Sequence, residues 1–147
     1  MTIRRREPFD RLQGEIQELI DELWQVPRFS AMRHGFRPQI DVFRTEDPPL
    51  VNVVVELPGV EPDDVHIFAD DRTLIVAGQR CRPAVEGRYQ LMEIEYGRFQ
   101  RRIALPEPVD AGSARATYAR GLLTIVLPVA AKPPRVAKVT IHVGTER

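Results

Sequence analysis

Few side chains in this sequence could do covalent or acid–base chemistry, and their spacing argues against it. There is one cysteine, Cys81, and there are three histidines, His34, His66 and His142, scattered with no motif around them. A thiol becomes a nucleophile only when a neighbouring base or cation favours the thiolate, and no such pairing is written here. A single cysteine also excludes an intrachain disulfide and a cysteine-rich zinc site, so Cys81 reads as a reduced thiol. The acidic pairs Asp63-Asp64 and Asp70-Asp71 stand among turn residues, where short carboxylates bind backbone N–H groups. No glycine-rich phosphate loop with its lysine is present, nor any metal-ligand spacing. The expectation is a protein without catalytic residues, cofactor or metal.

Charge excludes a second class. The 21 basic and 21 acidic residues sum to a formal net charge of zero, whereas a polyanion binder shows a basic excess, so no nucleic-acid partner is expected. The run Arg4-Arg5-Arg6 beside Glu7 reads as a solvated terminus. No apolar run approaches the ~20 residues of a membrane span. The charged start is not followed by an apolar signal core, which points to the cytoplasm. What remains is a chemistry of apolar surfaces, and the elements that carry them follow from the periodicity.

A chain of 147 residues suits one domain with flanking arms. Residues 8–24 read as an amphipathic helix: Pro8 suits its first turn, and Phe9, Leu12, Ile16, Leu19, Ile20 and Leu23 recur at three- and four-residue spacing, with Trp24 extending the stripe. Two readings stay open for that stripe, packing on its own domain or association with other chains. Residues 25–39 are broken by Pro27, Gly35 and Pro38, yet carry the aromatics Phe29 and Phe36, which a plain linker does not need. Residues 1–37 are thus expected to form an arm.

From Gln39 the period changes to two. Strands are expected at 40–44, 50–57, 63–69, 73–78, 89–96 and 97–105, separated by breakers such as Pro58-Gly59 and Asp70-Asp71-Arg72. Residues 79–88 form a polar loop between two strands, and the phase flip at Gly97 suggests a bend. Ala116 and Tyr118 share one face of a further strand. Leu123, Ile125 and Leu127 share one face of the next, with Arg120-Gly121 as the reversal and Pro128 as the stop. This spacing predicts an all-β domain over 38–128, an antiparallel, immunoglobulin-like β-sandwich. Residues 129–147 form an extension in which Pro133-Pro134 precedes Val139-Thr140-Ile141-His142-Val143. That apolar ribbon either adds to a sheet edge or folds back as a last strand.

The order of motifs resembles the small heat-shock proteins, built on an α-crystallin domain, in their bacterial form. The quoted stretches are Pro38-Gln39-Ile40-Asp41-Val42, Leu57-Pro58-Gly59-Val60 followed by Asp63-Asp64, Leu74-Ile75-Val76-Ala77-Gly78, Gly97-Arg98-Phe99-Gln100-Arg101 with Leu105-Pro106, the hairpin Ala116–Pro128, and an aliphatic-x-aliphatic tail. Two positions depart from the pattern. Ile94 follows Glu93 where the family often has arginine, and the tail reads Val139-x-Ile141 with Val143 in phase rather than Ile-x-Ile.

The resemblance implies an ATP-independent holdase that binds partly unfolded proteins. It implies dimers formed by loop exchange through Arg80, Arg82, Arg88, Tyr89 and Arg101, joined into larger homo-oligomers. Val139, Ile141 and Val143 would dock between the strand of Val65 and Ile67 and the strand of Ala116 and Tyr118. Phe9, Leu12, Ile16, Leu19, Leu23, Trp24, Phe29 and Phe36 would meet clients. A monomeric co-chaperone or adaptor on a related sandwich is the alternative; such proteins lack the tail motif and the long loop.

Overall fold

The computed structural model describes residues 2–5, 18 and 35–131. The described residues form eight strands: β1 Thr2–Arg5, β2 Ile40–Thr45, β3 Leu50–Glu56, β4 Val65–Ala69, β5 Thr73–Arg80, β6 Gly97–Ala104, β7 Arg115–Ala119 and β8 Leu122–Pro128. They form two four-stranded sheets, one ordered β1-β4-β5-β6 and the other β2-β3-β8-β7. All pairings are antiparallel except that of β1 with β4. The chain is therefore the expected all-β sandwich.

Alternation explains the core. Val51, Val53 and Val55 of β3 register with Leu127, Ile125 and Leu123 of β8, and all six are fully buried. They face Val65 and Ile67 of β4, Leu74 and Val76 of β5, and Phe99 and Ile103 of β6, which belong to the same apolar cluster. Burying each such side chain is worth roughly 1.5–3 kcal/mol. Ile75 and Ala77, which alternation turns away from this cluster, are buried as well, so β5 is covered on both faces.

Turn chemistry follows the acidic residues. The Asp70 carboxylate accepts hydrogen bonds from the N–H groups of Arg72 and Thr73, at 2.7 and 2.6 Å, and so fixes the β4–β5 turn. Asp63 and Asp64 lie in a short 3-10 turn that leads into β4.

The β7–β8 reversal is tighter than glycine alone would make it. Arg120 has φ 54° and Gly121 φ 77°, both positive, as a two-residue primed hairpin turn requires. A Cβ on Gly121 would stand 3.0 Å from the Pro58 Cα. The turn is also bonded to its surroundings: Leu57 N–H donates to the Gly121 carbonyl at 2.7 Å, and the Tyr118 hydroxyl donates to the Leu57 carbonyl at 2.6 Å. Gly121→Ala is therefore expected to cost about 2 kcal/mol. Thermal denaturation should show a midpoint lowered by on the order of 10 °C.

Four expectations differ from the structure. Residues 89–96 alternate like a strand but pair with nothing in either sheet, and β5 runs to Arg80 so that the loop begins at Cys81. The basic terminus, expected as a solvated end, supplies β1 through Thr2-Ile3-Arg4-Arg5. Phe36, expected in the arm, packs against the core, edge-on to Phe99 with ring centres 5.8 Å apart. Of the helix expected over 8–24, only Glu18 is described; it is helical and exposed.

Candidate functional site

Residues 81–96 leave the sandwich at the end of β5 and return at the start of β6. Leu91 is 73% exposed, Met92 and Ile94 56% each, and Val85 and Tyr89 are also exposed. So much apolar surface on one loop is unusual for a surface that meets only water. The loop is braced at its base by stacked cations. The Arg80 guanidinium lies 4.8 Å from the Phe36 ring centre and 5.1 Å from that of Tyr96. Arg82 lies 4.4 Å from the Tyr96 ring and 5.3 Å from that of Tyr89, and donates to the Ile94 carbonyl at 3.2 Å. Each such contact is worth roughly 0.5–1 kcal/mol at an exposed site. Together they hold the outgoing limb at Arg82 to the returning limb at Tyr89 and Tyr96. Gly97, with φ 127°, makes the bend expected at the return.

Arg101 of β6 works at the same end. Its guanidinium donates to the Pro38 carbonyl at 2.5 Å and so ties the segment before β2 to the other sheet. Burial, with Arg37 nearby, draws its pKa below the usual arginine value. Arg88 is exposed on the loop.

Edge strands offer unpaired backbone groups. β2 is an edge of its sheet, paired only with β3, and carries Phe43, 50% exposed, and Val42, also exposed. Arg44 closes its end through paired bonds to Glu107, at 2.7 and 3.4 Å, and a contact to Glu46 at 2.6 Å. Those two carboxylates raise the Arg44 pKa above its ordinary value. The pairs are solvent-facing, so they orient the strand more than they stabilise it.

The residues of the expected groove lie on β4 and β7. Val65 and Ile67 are buried in the core, while Ala116 and Tyr118 are half-buried and pack against the same cluster from the opposing sheet. The four residues therefore line the same apolar cluster from the two facing sheets. It also adds β1 to the outer side of β4, in parallel register from Thr2 opposite His66 to Arg5 opposite Ala69. β7 remains an edge strand.

The expected tail residues Val139, Ile141 and Val143, and the expected client residues Phe9, Leu12, Ile16, Leu19, Leu23, Trp24 and Phe29, lie outside the described residues. Phe36 is half-buried beneath Arg80, so it is not free surface. Sequence reasoning missed Phe43, Leu91 and the stacking of Arg80 and Arg82. Among the described residues no group of three or more His, Cys, Asp or Glu is placed to hold a metal ion, and no helix is long and apolar enough to cross a membrane.

Comparison with known proteins gives a consistent result. A profile described as the Hsp20/alpha crystallin family matches residues 44–143. Heat shock protein 16 of Schizosaccharomyces pombe is 35% identical over 128 residues, covering 83% of this chain and 88% of that protein. Among solved structures, heat shock protein 16.0 from Schizosaccharomyces pombe aligns with a TM-score of 0.60 at 33% identity, over 73% of this chain and 99% of that one. A small heat-shock protein from Xylella fastidiosa, described as having a distinct high order structure, aligns with a TM-score of 0.59 at 31% identity, over 76% and 99% of the two chains.

Proposed function

Because the chain belongs to the Hsp20/alpha crystallin family, the small heat-shock proteins that serve as stress chaperones, we propose that it is an ATP-independent holdase working as a homo-oligomer. The supporting observation is the 81–96 loop: braced at its base, bearing the exposed apolar residues Val85, Tyr89, Leu91, Met92 and Ile94, and unpaired with either sheet of its own chain.

Such a loop suits exchange between two copies. Residues 89–96 would add to the β2 edge of a second copy, where Val42 and Phe43 stand exposed, and the second copy's loop would do the same in return. The tail residues Val139, Ile141 and Val143 would dock beside Val65, Ile67, Ala116 and Tyr118 of a neighbouring dimer. Three aliphatic side chains bury modest area, so this contact would open on heating. The apolar stripe from Phe9 to Trp24, with Phe29, would then meet clients whose own exposed apolar patches aggregate. The division of labour is an arm over 1–37, a platform over 38–128 and an extension over 129–147. The same reading puts its work in the cytoplasm, where the exposed Cys81 would stay reduced.

Removal of residues 1–34 tests where clients bind, and keeps Phe36 against Phe99. The shortened chain should retain its β circular dichroism but suppress light scattering by a heat-denatured client severalfold less well than the full chain. Undiminished suppression would move client binding from the arm to the loop and sheet edges. A monomeric adaptor would instead elute near 16.8 kDa as the full chain.

A further inference from the structure

We propose that residues 8–24 cross the outer face of the β1-β4-β5-β6 sheet and lay their apolar stripe on Phe68, Ile75 and Ala77. That face is turned away from the core. The register pairs Phe68 with Ile75 and sets Ala77 between His66 and Gln100, and none of the three apolar residues belongs to the core cluster. Yet Phe68 is only 8% exposed, Ile75 6% and Ala77 1%. Apolar side chains on a sheet face that met water would be open to it, so this face has a cover. On β6 the same face carries Gln100 and Arg102, which are exposed, so the cover lies over β4 and β5.

The path of the chain names the cover. Arg5 ends β1 at one edge of the sheet, level with Ala69 of β4 and, through Leu74, with Ile103 of β6. Gly35 opens the next described stretch at the opposite edge, against the start of β6, where a Cβ on it would stand 2.5 Å from the Arg98 carbonyl oxygen. Residues 6–34 must join these two points. Three strand spacings across, and the six residues from Ile103 back to Gly97 along, put them about 25 Å apart on the diagonal. The core cluster fills the inner face, which leaves the outer one. A helix over 8–24 is about 25 Å long. Laid on that diagonal, it passes over Phe68, Ile75 and Ala77 and misses Gln100 and Arg102. Phe9, Leu12, Ile16, Leu19 and Leu23 supply the apolar side, while Glu18, from the polar side, is helical and exposed. Of the two readings open for the stripe, the sheet face favours packing on its own domain. This docking does not rest on the holdase reading. It adds that the stripe meets another chain only by leaving this face, a step that bares Phe68, Ile75 and Ala77 as well.

Thiol labelling of full-length chains tests this. Cys81→Ser removes the one native cysteine, which is exposed, and Ala77→Cys places a thiol on the face. The introduced thiol should react slowly with a maleimide. It should react about a hundredfold faster once Ile16→Asp and Leu19→Asp are added, because two carboxylates cannot sit on an apolar face. Hydrogen exchange of the β8 amides checks that the sandwich stays folded; if Ala77→Cys loosens it, Phe68→Cys repeats the test on β4. Fast labelling without the aspartates, or slow labelling with them, would overturn the docking. An excess of Cys81→Ser chains with an intact arm, added to the aspartate chain, separates own chain from neighbour. Labelling should stay fast; if it slows, a neighbour's arm supplies the cover and the crossover within one chain is wrong. Suppression of client scattering is read separately, so a failure of the holdase reading leaves these rates as they are.

Discussion

With Val139, Ile141 and Val143 replaced by serine, the native assembly should come apart into dimers on a sizing column. The three aliphatic side chains would bury their surface only against another subunit, and serine recovers little of it. At roughly 1.5–2 kcal/mol each, the loss is about 5 kcal/mol per docked tail. Each tail contact would then weaken on the order of a thousandfold or more. The dimer should survive, because nothing in the loop or at β2 is touched. An assembly of unchanged mass would remove the tail from the scheme.

The second large effect concerns the dimer. Met92→Asp with Ile94→Asp should convert it to single chains while leaving the sandwich folded, because both side chains are exposed and neither belongs to the core. Two-fold symmetry would double the loss, since in the proposed dimer each copy would give its loop to the other. Four side chains at about 2 kcal/mol each come to roughly 8 kcal/mol, which raises the dissociation constant on the order of a million-fold. Phe43→Asp, on the accepting edge, should act in the same direction. Dimers that persist through both sets of changes would exclude loop exchange at β2. Sedimentation at several concentrations reads all of these species.

Much of the sandwich was legible because inward and outward residues alternate and because breakers punctuate the strands. Val51, Val53 and Val55 announce one face of β3, and Pro58-Gly59 announces its end. Arg120-Gly121 between Ala116-x-Tyr118 and Leu123-x-Ile125 announces the hairpin. Alternation states which side of a strand is apolar, but it does not name the strand's partner. Residues 89–96 show the limit: they carry the pattern and have no ladder in their own chain. Ile75 and Ala77 show another, since a strand covered on both faces loses its polar side. Thr2–Arg5 gave no sign at all. Four residues, two of them arginine, read as a solvated end, and only the position of the β4 edge makes them a strand. The apolar faces of β4 and β7 were legible because both strands alternate clearly: Val65 and Ile67 point into the core, and Ala116 and Tyr118 pack against it. The cation stack at the loop's base was not, because Phe36 and Tyr96 are sixty residues apart in the chain and meet only through Arg80.

The order of the second sheet bears on how this protein is made. β3 pairs with β8 along its whole length, so the centre of that sheet waits for residue 128. By contrast β4, β5 and β6 follow one another and need nothing beyond residue 104. A nascent chain halted between those points carries a finished three-strand meander beside a row of valines with no cover. Exposed valines and an open strand edge are what make folding intermediates clump. The last 24 residues of the sandwich, from Leu105 to Pro128, thus set a stretch of synthesis during which this stress chaperone is itself an unfinished protein.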